Sequence, residues 1–208
     1  MVRNVESLEC EIAMRRLMLE LGEFKSIARS TDTMRVATIL RGEAPWQYSH
    51  RTLVAMVAIV EEFVIQRMSS VIDSKSSPSD PIITDALGLS LDRIDQNWAY
   101  RVQYAKKWFK LDLAKNDSYL GFQSFVEVRN SIIHGGGRLT RRQTGNDGGR
   151  QNALRLKKIG IEIHGDQLMI DASAIQHCFD CSRALVSVFD SNTKRHLSTM
   201  GQSLFLKS

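Results

Sequence analysis

Residues 122–138 read FQSFVEVRNSIIHGGGR, and this stretch predicts a helix that ends at three glycines. Its apolar residues recur at three- and four-residue steps, as on the buried face of a helix: Phe122, Phe125, Val126, Ile132 and Ile133. Arg129 lies in the middle of that apolar stripe. A guanidinium there needs a partner, so the stripe faces either an internal carboxylate or a cleft that holds an anion.

His134 follows Arg129 by five positions and stands in the last turn before Gly135. Asn130 and His134 are four apart, so they are neighbours on one flank of the helix. An imidazole moves protons near neutral pH and a guanidinium stabilises charge on phosphoryl oxygens, so this set suits RNA cleavage without a metal. Arg129 and His134 point about 140° apart on a straight helix, which favours a cleft shared with another segment.

A structural explanation of the same residues is also open. Arg129 could pair with a core carboxylate, either Glu61 or Glu62 of the most apolar predicted helix, and His134 could merely cap its own helix. The sequence does not decide between the two glutamates.

The run from Arg129 to His134, RNSIIH, resembles the signature of the HEPN superfamily (higher eukaryotes and prokaryotes nucleotide-binding domains). That signature is an Arg followed by a polar residue and, after four to six residues, a His. The resemblance implies catalytic roles for Arg129, Asn130 and His134. It also implies a homodimer in which two motif helices meet.

The resemblance further implies a metal-independent endoribonuclease that needs no cofactor and leaves a 2',3'-cyclic phosphate end. Such a protein acts as a toxin or an antiviral defence effector, with an antitoxin or defence-complex protein as partner. The alternative is a non-catalytic HEPN-like module that binds RNA or nucleotide and assembles a larger complex.

Hydrophobic periodicity predicts a mainly α protein with one β-hairpin inserted before the C-terminal helix. The resemblance implies that the helices form an HEPN-like helical bundle. Only residues 154–170 alternate with period two, and Asp171 is suited to cap the last helix. We expect one domain over residues 1–195 and a tail over 196–208. Helices are predicted at Val2–Ser30, Thr33–Leu40, Ser49–Asp73, Leu91–Leu113 and Tyr119–His134.

The composition is ordinary for a globular protein, with 43% hydrophobic and 25% charged residues among 208. No apolar run is long enough to span a membrane, and charges throughout the first residues argue against a signal peptide. We therefore expect a cytoplasmic protein without a membrane partner. Cys178 and Cys181 form a C-x-x-C pair without a second matching pair, so packing is expected there and not a metal.

The positive charge of the chain is concentrated after the motif. Between residues 138 and 158, seven Lys and Arg residues face the single Asp147, a net charge of +6, whereas the whole chain carries +5. A polyanion is the simplest partner for such a segment. We expect Arg138, Arg141 and Arg142 to bind RNA phosphates, although a solvated loop without a ligand would have the same composition.

Overall fold

The structure, a computed structural model, describes residues 6–29, 45–75, 81–139, 154–165 and 167–205 of the chain. It is mainly helical, with a two-stranded hairpin before the last helix, as the sequence predicted. The predicted short helix at 33–40 lies outside the described residues. The elements are α1 Leu8–Arg29, α2 Pro45–Lys75, α3 Pro81–Gln96, α4 Trp98–Phe109, α5 Asp117–Gly135, β1 Ile161–His164, β2 Gln167–Ile170 and α6 Ala172–Phe205.

Helix α2 is the centre of the bundle and contacts α1, α5 and α6. Its sequence is apolar on most sides, and these three helices cover that apolar surface. Phe63 is buried and meets Phe189 of α6 edge to face, with ring centroids 6.1 Å apart. Full burial of one large apolar side chain contributes about 1.5–3 kcal/mol, and α2 buries several of them, including Leu53, Met56 and Met68.

The segment predicted as one helix, Leu91–Leu113, is instead divided between α3 and α4. Asn97 has an extended backbone, and its side chain accepts a hydrogen bond from the Tyr100 N–H at 3.1 Å. This contact makes Asn97 the N-cap of a new helix. The apolar spacing continues across the break, which is why periodicity alone did not reveal it.

The hairpin is shorter than the predicted range 154–170. Residues 154–158 are helical, and β1 begins only at Ile161. Leu156 and Ile159 are both buried while Leu154 is exposed, so the first part of the apparent alternation was one side of a helical turn. The strands pair antiparallel, with Ile161 opposite Ile170.

Helix α6 begins as predicted, because the Asp171 carboxylate accepts a hydrogen bond from the Ala174 N–H at 2.8 Å. The helix runs without interruption past residue 195, so the expected tail at 196 does not begin at a helix end. Within the described ranges, no helix combines the length and the apolar character needed to cross a membrane.

Candidate active site

The motif helix α5 ends in the way its glycines predict. Gly136 adopts a left-handed conformation, with φ of 59°, and its N–H bonds to the carbonyl of Ser131. His134 therefore stands in the last helical turn, where its side chain is exposed, and Asn130 one turn earlier is half-buried. Among the described residues, neither side chain has a hydrogen bond or an ion pair.

Arg129 points into the bundle and meets a carboxylate of its own chain. Its Nη2 donates a hydrogen bond to Oε1 of Glu61 on α2. This contact decides between the two glutamates, because Glu62 turns outward and pairs with Arg16 at 2.5 Å. The Glu61 side chain is 17% exposed and that of Glu62 is 44% exposed.

Two further groups donate to the same oxygen of Glu61. The indole Nε1 of Trp98 lies 2.8 Å from Oε1, and Nη1 of Arg101 lies 3.2 Å from it. Arg101 was not among the site residues predicted from the sequence. It stands in the apolar stripe of α4, three positions after Trp98, and this is the same signal that marked Arg129.

Arg101 is fixed as well as buried. Its Nε donates to the carbonyl of Ile94 at 3.1 Å, and its Nη2 donates to that of Asp95 at 3.0 Å, so it satisfies the last carbonyls of α3. Burial lowers the pKa of the Arg101 guanidinium, and the neighbouring Glu61 carboxylate opposes this shift. The break between α3 and α4 thereby places a rigid cation behind Glu61.

These groups border an open cavity of about 1170 Å³. All three predicted catalytic residues, Arg129, Asn130 and His134, lie on its wall, which brings both halves of the motif to one space. The described wall carries more carboxylates than guanidiniums: Glu61, Glu62, Asp95 and Glu127 against Arg101 and Arg129. An RNA phosphate would therefore depend on Arg129 itself and on cations outside this wall.

The predicted RNA-binding arginines are only partly described. Arg138 is exposed and lies four residues after His134, next to the hairpin. Arg141 and Arg142 fall in 140–153, outside the described residues. The structure describes the chain again from residue 154, and Arg155, Lys157 and Lys158 of the basic segment are exposed.

The C-x-x-C pair packs between helices, as expected. Cys178 is completely buried, which raises the pKa of its thiol, and Cys181 lies against Gly121 of α5. Over the described part of the chain, no three His, Cys, Asp or Glu side chains gather as candidate metal ligands.

No family model, curated protein or solved structure matches the chain.

The hairpin fixes the end of the motif helix. The carbonyl of Gly137 accepts hydrogen bonds from the Leu168 N–H at 2.9 Å and from the Gln167 side chain at 3.1 Å. His50 of α2 donates through Nε2 to the carbonyl of Leu168 at 3.1 Å. Burial lowers the pKa of His50, although this hydrogen bond opposes the shift, so the neutral imidazole is favoured.

We expect Gly137→Ala to destabilise the protein more than Gly136→Ala. Both glycines have positive φ, 83° and 59°, which costs an L residue about 1–2 kcal/mol. A Cβ at Gly137 would also overlap the buried ring of His50, with Nδ1 only 2.9 Å away, whereas one at Gly136 meets nothing within 4 Å. Overpacking adds about 1–3 kcal/mol, so Gly137→Ala should lose about 2–5 kcal/mol in total.

Urea denaturation of the two variants beside the unmodified chain measures this difference in the free energy of unfolding. Equal losses would show that the contact between Gly137 and His50 does not constrain the hairpin.

Proposed function

We propose that this chain is a metal-independent endoribonuclease of the HEPN type, acting as a cytoplasmic toxin or antiviral effector. The observation that carries the proposal is that Arg129, Asn130 and His134 share the wall of one cavity. The groups there suit attack of a ribose 2'-hydroxyl on the adjacent phosphorus. The bond from phosphorus to the 5'-oxygen breaks, which leaves a 2',3'-cyclic phosphate and a 5'-hydroxyl.

His134 is suited to proton transfer in this reaction. One imidazole takes the proton of the 2'-hydroxyl, and one gives a proton to the leaving 5'-oxygen. The exposed position of His134 at the helix end leaves it accessible to a substrate. Arg129 would stabilise the charge that develops on the phosphoryl oxygens.

A homodimer is part of the proposal. Within one chain, Arg129 is bonded to Glu61 and His134 is exposed at the end of the same helix, and although both line one cavity, their side chains point about 140° apart on an ideal helix. An isologous contact between two copies of α5 would set the Arg of one chain near the His of the other. The helix also leaves Leu120 and Ile133 about half exposed, and such a contact could cover them.

The test is incubation of the purified chain with mixed RNA in EDTA, followed by analysis of the product ends. We expect cleavage with 2',3'-cyclic phosphate ends. Absence of cleavage by folded protein, or products with a 3'-hydroxyl, would contradict the proposal.

One observation favours a second candidate, a module that binds RNA or nucleotide without cleaving it. Arg129 is already paired with Glu61 of its own chain, and this contact gives Arg129 a structural role that requires no catalysis. In that case the incubation in EDTA would leave RNA intact, while a filter-binding assay would still detect a complex.

Replacing Arg138, Arg141 and Arg142 together by Gln should weaken the binding of every RNA sequence alike. These residues stand at the start of the basic segment, and contacts to phosphate carry no sequence information. The log-log salt slope should fall by roughly 0.7 for each lost contact to a single strand. Cleavage at saturating RNA should survive, because such contacts bind substrate and transition state about equally.

Binding titrations at several salt concentrations check this expectation. A matched control is Arg15, Arg93 and Arg183 replaced together by Gln, since all three are exposed and the charge change is the same. Equal slopes for the two triple variants would show that the basic segment does not contact RNA.

A further inference from the structure

We infer that Glu61 is the positioning residue for Arg129, an inference that rests on the proposed ribonuclease function. A single oxygen of Glu61, Oε1, accepts from Nη2 of Arg129, from Nη1 of Arg101 at 3.2 Å and from Nε1 of Trp98 at 2.8 Å. Three donors on one oxygen leave the carboxylate little rotational freedom. Glu61 thus gives Arg129 a fixed anchor on a different helix.

Glu61 is held rigidly because its two other donors, Arg101 and Trp98, are themselves fixed by contacts with their surroundings. Arg101 is 5% exposed and is held by the carbonyls of Ile94 and Asp95, at 3.1 and 3.0 Å. Trp98 is buried between Tyr119 and Phe122 of α5, with ring centroids 5.6 and 5.3 Å away. A connected set of fixed groups therefore runs from the end of α3 through Glu61 to the guanidinium of Arg129.

The contact with Glu61 leaves the Arg129 guanidinium with charge and hydrogen-bond donors for a substrate. Two guanidiniums share one carboxylate, so the group formed by Glu61, Arg101 and Arg129 keeps a net positive charge. The Arg129 side chain is 21% exposed and lines the cavity, so the part of the guanidinium that faces the cavity remains open to a substrate. The guanidinium thus retains charge and donors for phosphoryl oxygens, at a location that is set before the substrate binds.

Glu61→Gln tests this inference. Glutamine keeps the shape and the acceptor oxygen of Glu61 but removes the charge that holds both guanidiniums. We expect kcat to fall by about 10²-fold, the usual effect of displacing a catalytic group by about 1 Å. KM for RNA should change by less than about twofold, because Arg129 acts on the transition state.

The matched control is Glu23→Gln. Glu23 forms a pair with Arg51 between α1 and α2, at 3.6 Å, and it does not line the cavity. This control makes the same chemical change in another interhelical pair, so kcat should stay at the level of the unmodified chain. An equal fall in both variants would overturn the inference, since any lost ion pair would then have the same effect.

A second comparison shows whether Glu61 acts through Arg129. In the Arg129→Ala background, measured in single turnover, adding Glu61→Gln should cause no further loss of rate. A full additional loss there would overturn the inference, because Glu61 would then act on its own. An unmodified chain that does not cleave RNA contradicts the proposed function, whereas an active chain with an undiminished Glu61→Gln variant contradicts only the role of Glu61.

Thermal denaturation establishes whether Glu61→Gln folds. Trp98→Phe is the second test if it does not, because this change removes the indole donor from Oε1 and keeps every charge. A folded Trp98→Phe variant should show a smaller fall in kcat with the same KM. An unchanged kcat in that variant overturns the inference.

Discussion

His134→Ala is expected to slow RNA cleavage by about 10²- to 10⁴-fold, the usual contribution of one general acid or base. The fold should be retained, because the side chain is exposed and its truncation removes no buried contact. RNA binding should also persist, since the imidazole contributes mainly in the transition state. Single-turnover rates at saturating RNA measure this effect.

Arg129→Ala should reduce the rate by a similar factor, because removal of a donor that stabilises the transition state costs about 10²–10³. Glu61 would still hold Arg101 and Trp98, so the core at this point keeps two of its three donors. Asn130→Ala should have a smaller effect, since the expected role of Asn130 is to orient His134 or the phosphate.

The control for His134→Ala is His164→Ala, which truncates an exposed imidazole on the hairpin, outside the cavity. We expect it to cleave RNA at the rate of the unmodified chain. Full cleavage by a well-folded His134→Ala variant would contradict the mechanism.

Mixing the Arg129→Ala and His134→Ala chains tests the shared site. In a heterodimer with two-fold symmetry, one composite site keeps both an intact Arg and an intact His. We expect partial recovery of the cleavage rate in verified heterodimers. No recovery would count against a site shared between two chains in which one Arg and one His suffice.

Asp190→Ala is expected to lower the free energy of unfolding by about 3–5 kcal/mol, the usual cost of removing one partner of a buried ion pair. Asp190 of α6 has a side chain that is only 3% exposed. Its carboxylate lies 3.2 Å from Nε of Arg67 and 2.5 Å from Nζ of Lys194. The Arg67 Nε–H itself donates to Thr193 at 3.0 Å, so the attraction between Arg67 and Asp190 is electrostatic and not a hydrogen bond.

The loss is large because Asp190 joins three helices. Its Oδ2 also accepts from the backbone N–H of Ser7 at 3.3 Å, just before α1, while Arg67 belongs to α2. Without the carboxylate, Glu9 at 3.7 Å would be the one acid left beside the buried Arg67 among the described residues. A buried cation with so little compensation is costly.

Urea denaturation of Asp190→Ala, beside Asp180→Ala as control, measures this effect. Asp180 lies on the same helix but is exposed, so its replacement should change stability by less than about 0.5 kcal/mol. A loss below about 1 kcal/mol for Asp190→Ala would show that the cost of desolvating these charges offsets their attraction.

The same carboxylate predicts a dependence on pH. Burial acts to raise the pKa of Asp190, but hydrogen bonds from Lys194 and Ser7 outweigh it, and the pKa lies below its usual 3.8. The stabilisation by the Asp190 carboxylate is therefore fully present above the unfolded-state pKa of 3.8, and it is lost as the pH falls through the lower folded-state pKa. The difference in unfolding free energy between the unmodified chain and Asp190→Ala should shrink over that range.

The sequence was sufficient for features that depend on neighbours in the chain. The end of α5 follows from Gly136, because a residue without Cβ readily adopts positive φ. Asp171 marked the start of α6 for an equally local reason. Element boundaries were wrong where two local explanations competed, as at Asn97, whose capping side chain interrupts an otherwise continuous apolar spacing.

What the sequence determined by itself is that Arg129 needs an anionic partner, since a guanidinium in an apolar stripe cannot be buried alone. Only the tertiary structure decided that the partner is Glu61 and not Glu62. The two are adjacent on α2 and chemically identical, and they differ only in which neighbouring helix each one faces. Glu61 meets α4 and α5 inside the bundle and Glu62 meets α1 at its surface, because the packing of four helices, and no local pattern, sets the direction of each side chain.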